Sequence, residues 1–314
     1  MAWFFWFSAA PLRLAVSPLD FHVPAGSSLR GVSQLLPAAG VGISPWQFEL
    51  LARWKGRDAQ IKAGSYEIEQ GVTPAALLDK LTRGDVSQSE VAFIEGWTFR
   101  QMREALEKHP YLIHESSGLS NAEILARIGA TEKSPEGLFF PDTYLFSKNS
   151  SDLDLLRRAY RAMREALQQE WERRDPAVPY ASPYEALIVA SLVEKETGAA
   201  ADRPLVASVF VNRLTNDMPL QTDPSVIYGL GERFDGNLRK SDLTRDTAYN
   251  TYTRPGLPPT PIAMPGRASL QAALRPADSD HLYFVARGDG SSQFSRTLDE
   301  HNRAVNRYQK RRLN

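Results

Sequence analysis

The sequence predicts an α+β protein in two parts: a small module of short strands and helices, then a larger mixed α/β domain built on a buried helix that carries glutamates. Three observations lead there. The 314 residues suffice for one large domain with a smaller one beside it. From Phe21 to Gly84 the strand-like and helix-like runs are short and alternate, as in a compact module of about 65 residues. From Tyr184 to Gly198 the sequence YEALIVASLVEKETG holds Ala186 to Val193, apolar apart from Ser191 and without a breaker, as expected of a helix buried on nearly every side.

Composition narrows the function. Lys plus Arg and Asp plus Glu both number 37, so no basic excess points to nucleic acid or another polyanion. With no cysteine and five scattered histidines, thiolate metal sites and disulfides are excluded, and neither a metal nor a cofactor is expected. The opening MAWFFWFSAAPLRLAV is aromatic from Trp3 to Phe7 and meets one charge, Arg13. It is shorter than the roughly 20 apolar residues that span a bilayer. Residues 1–19 are therefore either part of a membrane anchor or an apolar segment packed on the protein, and the aromatic enrichment favours the membrane.

The small module begins with a strand at Phe21 to Val23 and a helix from Ser28 to Leu36. Ser44 followed by Pro45 starts a second helix. Ala63 to Glu69 alternate as a strand does, and Thr73 caps a helix that begins at Pro74 and stops at Gly84. This module serves either as a spacer or as a small carbohydrate-binding unit. Val91 to Ile94 read as the next strand. Thr98 with Gln101, and Ser120 with Glu123, form capping boxes for two helices. The stretch from Ser134, SPEGLFFPDTYLFS, is too rich in turn formers for a regular element and reads as an ordered loop carrying Glu136 and Asp142. Asp152 to Arg174 form a long amphipathic helix with Leu153, Leu156, Tyr160, Met163, Leu167 and Trp171 on its core stripe.

The organising helix ends in Glu194, Lys195 and Glu196, with Gly198 suited to a left-handed position beyond it. A carboxylate there faces the negative end of the helix dipole, and apolar neighbours further disfavour its charge. Glu196 shares its face with Val189, Leu192 and Val193, whereas Glu194, two residues away, points elsewhere. The plain alternative is a core helix surfacing with solvated charges. Asp202 and Pro204 open another helix to Arg213. Then follows a polar run of Gln221, Thr222, Asp223 and Tyr228, with Asn250 and Tyr252 further on. Hydroxyls and amides interleaved with tyrosine and held by prolines suit a neutral polyol such as a sugar chain, although each residue singly is a good turn former. A strand at His281 to Ala286 and a basic helix ending at Asn314 close the chain.

The motifs VEKET, QTDPSVIYG and YNTYTRPGLPP, together with the loop PEGLFFPDTY, occur in order over roughly Phe21 to the C-terminus. In them the chain resembles the YceG-like endolytic murein transglycosylases (the MltG family). The resemblance implies a LysM-like module at residues 20–85 and a catalytic transglycosylase domain at 86–314. It also implies a single-pass anchor in the inner membrane, incomplete here, with the catalytic domain in the periplasm. The expected partners are peptidoglycan glycan strands and neighbouring wall-synthesis proteins. The catalytic acid falls on Glu196 with Glu194 as its rival, and Gln221, Thr222, Asp223, Tyr228, Asn250, Tyr252, Glu136 and Asp142 are the expected substrate-binding residues. Such an enzyme cleaves the bond between N-acetylmuramic acid and N-acetylglucosamine without water, leaving 1,6-anhydro ends. The aromatic loop Leu138 to Phe146 is the expected barrier to solvent. A hydrolytic muramidase pairing Glu196 with Asp223 or Glu136, and a non-catalytic wall-binding protein, are the alternatives.

Overall fold

A computed structural model describes the backbone of residues 2–309 and the side chains from Trp6 to Gln309. The chain forms two compact units. One holds the residues up to Val91 with His109–Glu115 and Tyr144–Asp152, and the other holds Ala92–Lys108, Ser116–Thr143 and the chain from Leu153 onward.

The first unit begins with α1 (Ala2–Ala9), β1 (Leu19–Val23), α2 (Leu29–Ala38), α3 (Pro45–Trp54), β2 (Gly64–Ile68) and α4 (Pro74–Arg83). Strands β1 and β2 pair antiparallel, with Leu19 opposite Ile68 and Phe21 opposite Tyr66. Alternation sends Leu19, Phe21 and Val23 inward and Asp20 and His22 outward. The Ser28 hydroxyl caps α2, and Thr73 caps α4, which Gly84 closes in the left-handed conformation at φ 74°. Val32, Leu36, Phe48, Leu51, Leu77, Leu78 and Leu81 form the core, which Phe7 of α1 joins. No helix among the described residues is long and apolar enough to cross a membrane. The side chains of Trp3, Phe4 and Phe5 lie outside the described residues.

The chain continues through β3 (Gln88–Ala92), α5 (Phe99–Glu107), β4 (Leu112–Ile113), α6 (Asn121–Ile128), β5 (Thr143–Ser147), β6 (Ser150–Ser151) and α7 (Asp152–Glu172). Strand β3 pairs with β5, and β4 runs parallel to β6. Here two expectations fail. The strand expected at Val91–Ile94 lies earlier, and the stretch expected to be a loop ends in β5, because Tyr144 and Phe146 alternate inward with Thr143 and Leu145 outward.

The second unit centres on α8 (Pro183–Glu196), whose residues Ala186 to Val193 are all buried. Against it pack α9 (Arg203–Thr215) and, further along the chain, α12 (Arg267–Leu274). The polar residue within that run, Ser191, donates to the Ile188 carbonyl and accepts from the Ile262 amide at 3.0 Å, which ties a distant loop to the helix. Truncating a fully buried side chain such as Leu192 to Ala would cost about 2–5 kcal/mol. Helix α7 brings a buried carboxylate, Glu170, to Arg275 at 2.8 Å and Arg267 at 3.3 Å, joining α7 to α12.

Between α9 and α12 lie α10 (Asp223–Leu230) and α11 (Lys240–Thr244); β7 (Tyr283–Ala286), β8 (Ser292–Ser295) and α13 (Leu298–Tyr308) complete the unit. Phe284 of β7 pairs with Phe294 of β8. Two further expectations are corrected here. Gly198 is not left-handed; the chain leaves α8 because Thr197 turns extended at φ −144° while its amide still bonds Val193. The polar run from Asp223 is a helix, with Pro224 in its first turn. The basic end of the last helix, residues 310–314, lies outside the described residues.

Candidate active site

The last residue of α8, Glu196, opens onto a cleft of about 450 Å³ that Arg213, Gln221, Asp223, Tyr252 and Tyr283 also line. Its surroundings are mostly protein, and this burial pushes its carboxyl from 4.5 to about 7. The nearby Asp223 charge pushes the same way, and a hydrogen bond from Thr222 opposes both. That donor is the Thr222 hydroxyl, bonded to Oε1. Thr222 sits at the N-cap position of α10, where a hydroxyl normally caps its own helix, but here it serves Glu196 instead.

The loop before α10 is built to hold that hydroxyl. The Thr222 amide donates to Thr251 Oγ1 at 3.0 Å, and the Gln221 amide to the Thr251 carbonyl at 3.1 Å. Gln221 itself has φ 54°, a left-handed backbone that a residue with a side chain rarely adopts. Asp223, exposed at the first turn of α10, accepts the Tyr252 hydroxyl at 2.5 Å. Burial and that carboxylate together raise the Tyr252 phenol well above its ordinary range, so it stays a donor. Gln221, Thr222, Asp223 and Tyr252 are therefore gathered at Glu196.

The other expected residues lie elsewhere. Glu194, with 7% of its side chain exposed, accepts the Gly266 amide at 2.9 Å and lies 3.9 Å from Arg203. It anchors the start of α12 and does not line the cleft. Glu136 and Tyr228 meet each other at 3.0 Å in a second cleft, where Glu136 also accepts the Phe99 amide at 2.9 Å. Burial raises Glu136 to about 7 as well. Tyr228 lies five positions along α10 from Asp223, so helical rotation turns it away. Asn250 is buried and donates to the carbonyls of Asp242, Leu243 and Arg245, so its amide holds a loop. Asp142 is exposed and accepts the following amide, Thr143 N, at 2.7 Å. The aromatic loop is not the barrier at Glu196: Phe139 is buried and stacked on Phe99 at 5.1 Å, and nothing from Leu138 to Phe146 lines the cleft.

Sequence reasoning missed the part of the lining made by Tyr283 and Phe284 of β7 with His301 of α13. It also missed Arg213 as a site residue. The available signal was a cation in the last turn of a helix that is largely apolar, VASVFVNRL. The site as built supplies one carboxyl able to hold a proton near neutrality, a hydroxyl fixed on it, and a neighbouring carboxylate held by a tyrosine.

A family model described as the YceG-like family matches residues 21–307. An endolytic murein transglycosylase of Bacillus subtilis (strain 168) is 32% identical over 318 residues, covering 92% of this chain and 84% of the relative. One of Streptococcus pneumoniae serotype 2 is 27% identical over 93% of this chain, which spans only 58% of that longer protein. Among solved structures, a YceG-like protein of Listeria monocytogenes superposes with a TM-score of 0.54 at 29% identity, covering 91% of this chain and 98% of that one.

Proposed function

The chain belongs to the YceG-like family, and on that footing we propose that it is a lytic transglycosylase acting within the glycan strands of murein. The observation that carries the reading is Glu196, a carboxyl at the end of a buried helix, poised by burial at about 7 inside a cleft of disaccharide size. At neutral pH such a group is divided between its two forms, which suits a residue that first gives and then recovers a proton.

In the first step protonated Glu196 donates to the oxygen joining N-acetylmuramic acid to N-acetylglucosamine. The bond from that oxygen to the anomeric carbon breaks, and positive charge develops on the muramic ring. Asp223, held by Tyr252, lies on the same cleft and favours that charge electrostatically. In the second step the C6 hydroxyl of the same ring attacks the anomeric carbon and its proton passes to the Glu196 carboxylate, which Thr222 keeps oriented. The products are a free N-acetylglucosamine hydroxyl and a 1,6-anhydro-muramic end. No water is consumed, and no metal or cofactor enters.

The first unit fits the role of a LysM-like module that holds the strand. The place of action is the wall side of the inner membrane, with the apolar N-terminal segment toward the bilayer and wall-synthesis proteins as neighbours. Asp223 is the one feature that favours a two-carboxylate hydrolase, because it lies on the same cleft as the acid. Mass analysis of the products from purified wall glycan decides between them. The transglycosylase leaves muramic ends lighter by one water, and a predominance of reducing ends would hand the reaction to a hydrolase.

A further inference from the structure

Arg213, in the last turn of α9, is 6% exposed, yet no carboxylate among the described residues pairs with it. Its guanidinium is held by neutral groups alone. Nε donates to the Leu282 carbonyl at 2.7 Å, and Nη1 is directed to the carbonyls of Pro219 at 2.9 Å and Leu220 at 3.1 Å and to Gln221 Oε1 at 3.0 Å. The Tyr283 ring lies 5.0 Å beneath it and is itself stacked on His301 at 5.3 Å. These contacts fix the plane of the guanidinium and engage Nε and Nη1, which leaves Nη2 alone with donors to spare. The Nη2 group has no acceptor among the described residues, although Arg213 is a wall of the cleft that contains Glu196.

A buried cation without a counter-charge is costly, and burial already works against the charge of this one. Arg213 stands at that cost on the cleft of the candidate acid, with its Nη2 donors unspent. Tyr252 is near enough to feel the charges of both Glu196 and Arg213. On the proposed substrate, the sugar ring whose anomeric carbon reacts differs from its neighbour by one substituent, the lactyl ether at C3. That substituent ends in a carboxylate on bare glycan and in an amide carbonyl where a peptide stem is attached. Either is an acceptor for the charged Nη2 donors, the carboxylate more strongly.

We propose that Arg213 reads the lactyl group, so that its Nη2 donors seat a muramic ring, and not an N-acetylglucosamine ring, next to Glu196. The inference rests on the murein reading above and names the residue that sets its ring specificity. Gln221, drawn to the same guanidinium, becomes the floor of that subsite, which gives its left-handed backbone a function.

The test measures binding by calorimetry on the full chain carrying Glu196→Gln, so that ligands are not consumed. Three oligosaccharides of equal length are compared: alternating muramic glycan with free lactyl carboxylates, the same glycan with the lactyl groups converted to methylamides, and a chitin oligomer that lacks them. The expected order is carboxylate, then amide, then chitin, with about tenfold or more between the first and the last. Adding Arg213→Gln should bring the three affinities within about threefold of one another. Arg213→Lys, which keeps the charge without the Nη2 donors held in a fixed plane, should retain part of the carboxylate preference and lose the preference for the amide over chitin. Equal affinity for chitin and carboxylate glycan in the Arg213 protein would overturn the inference. So would an Arg213→Gln or Arg213→Lys protein in which all three affinities fall by the same factor, because Arg213 would then only support the loop. Failure of every oligosaccharide to bind would overturn the murein reading and this inference with it.

Discussion

The Thr222 hydroxyl, at the head of α10, donates to Oε1 of Glu196 at the foot of α8. The bond joins the two helices at the one carboxyl in the cleft that burial holds near neutrality. It also makes the behaviour of the acid depend on a loop 26 residues away, whose geometry is set by Thr251 and Gln221.

The first prediction separates chemistry from stability at the two glutamates. Glu196→Gln keeps the shape and removes the proton, so cleavage of wall glycan should fall by about 1,000-fold or more. The same change should stabilise the protein. A carboxyl raised from 4.5 to about 7 keeps its proton in the folded state while the unfolded chain has lost it. Stability therefore declines as pH rises between those values and remains reduced above them. Glutamine removes that burden, worth about 1–3 kcal/mol at pH 8, and melting should rise by several degrees. Glu194→Gln should do the reverse, losing about 1–3 kcal/mol with its anchor on Gly266 weakened while the folded enzyme still turns over. An active Glu196→Gln protein with an inactive Glu194→Gln protein would transfer the acid to Glu194.

A second prediction concerns pH. Activity that needs the protonated form of Glu196 should decline on the alkaline side of about 7. The Thr222 bond favours the charged form, so Thr222→Val should move that alkaline limb to higher pH. Turnover at the optimum should nevertheless drop about tenfold or more, since the carboxylate loses the partner that orients it for the second step. A pH–rate profile for kcat in both proteins measures this. A limb that stays in place would detach Thr222 from the protonation of the acid.

Much of the fold is legible in the sequence because it is written in local rules. Ser28, Thr73, Thr98 and Ser120 each cap the helix expected to follow, and the unbroken apolar run to Val193 has no stable position but a buried one. What local rules do not encode is which side of an element faces which cleft. Gln221, Thr222 and Asp223 read as members of one polar run with Tyr228, yet Asp223 begins a helix, and a little over one turn later Tyr228 opens onto another cleft. Asn250 has the composition of a sugar ligand, but a buried amide must satisfy itself, and three backbone carbonyls did so first. Arg213 and Tyr283 were missed because they come from elements 70 residues apart that only tertiary packing brings together.

The last prediction uses that division. Tyr228 and Tyr252 are both tyrosines that donate to a carboxylate, Tyr228 to Glu136 and Tyr252 to Asp223. Only the second pair shares the cleft of Glu196. Tyr252→Phe frees Asp223 from its donor at the point where positive charge develops on the sugar, so kcat should fall about tenfold or more with little loss of stability, because Asp223 is exposed and water replaces the hydroxyl. Tyr228→Phe instead removes a donor from a carboxyl that is 5% exposed, where water does not readily take its place. It should cost about 1–3 kcal/mol of stability and change kcat by less than about threefold. Melting curves and single-turnover rates on the two variants provide the comparison. A Tyr228→Phe protein that melts normally but fails to cleave would bring the Glu136 cleft into the reaction, and Glu136, also raised to about 7, would then become the partner carboxyl of a hydrolase.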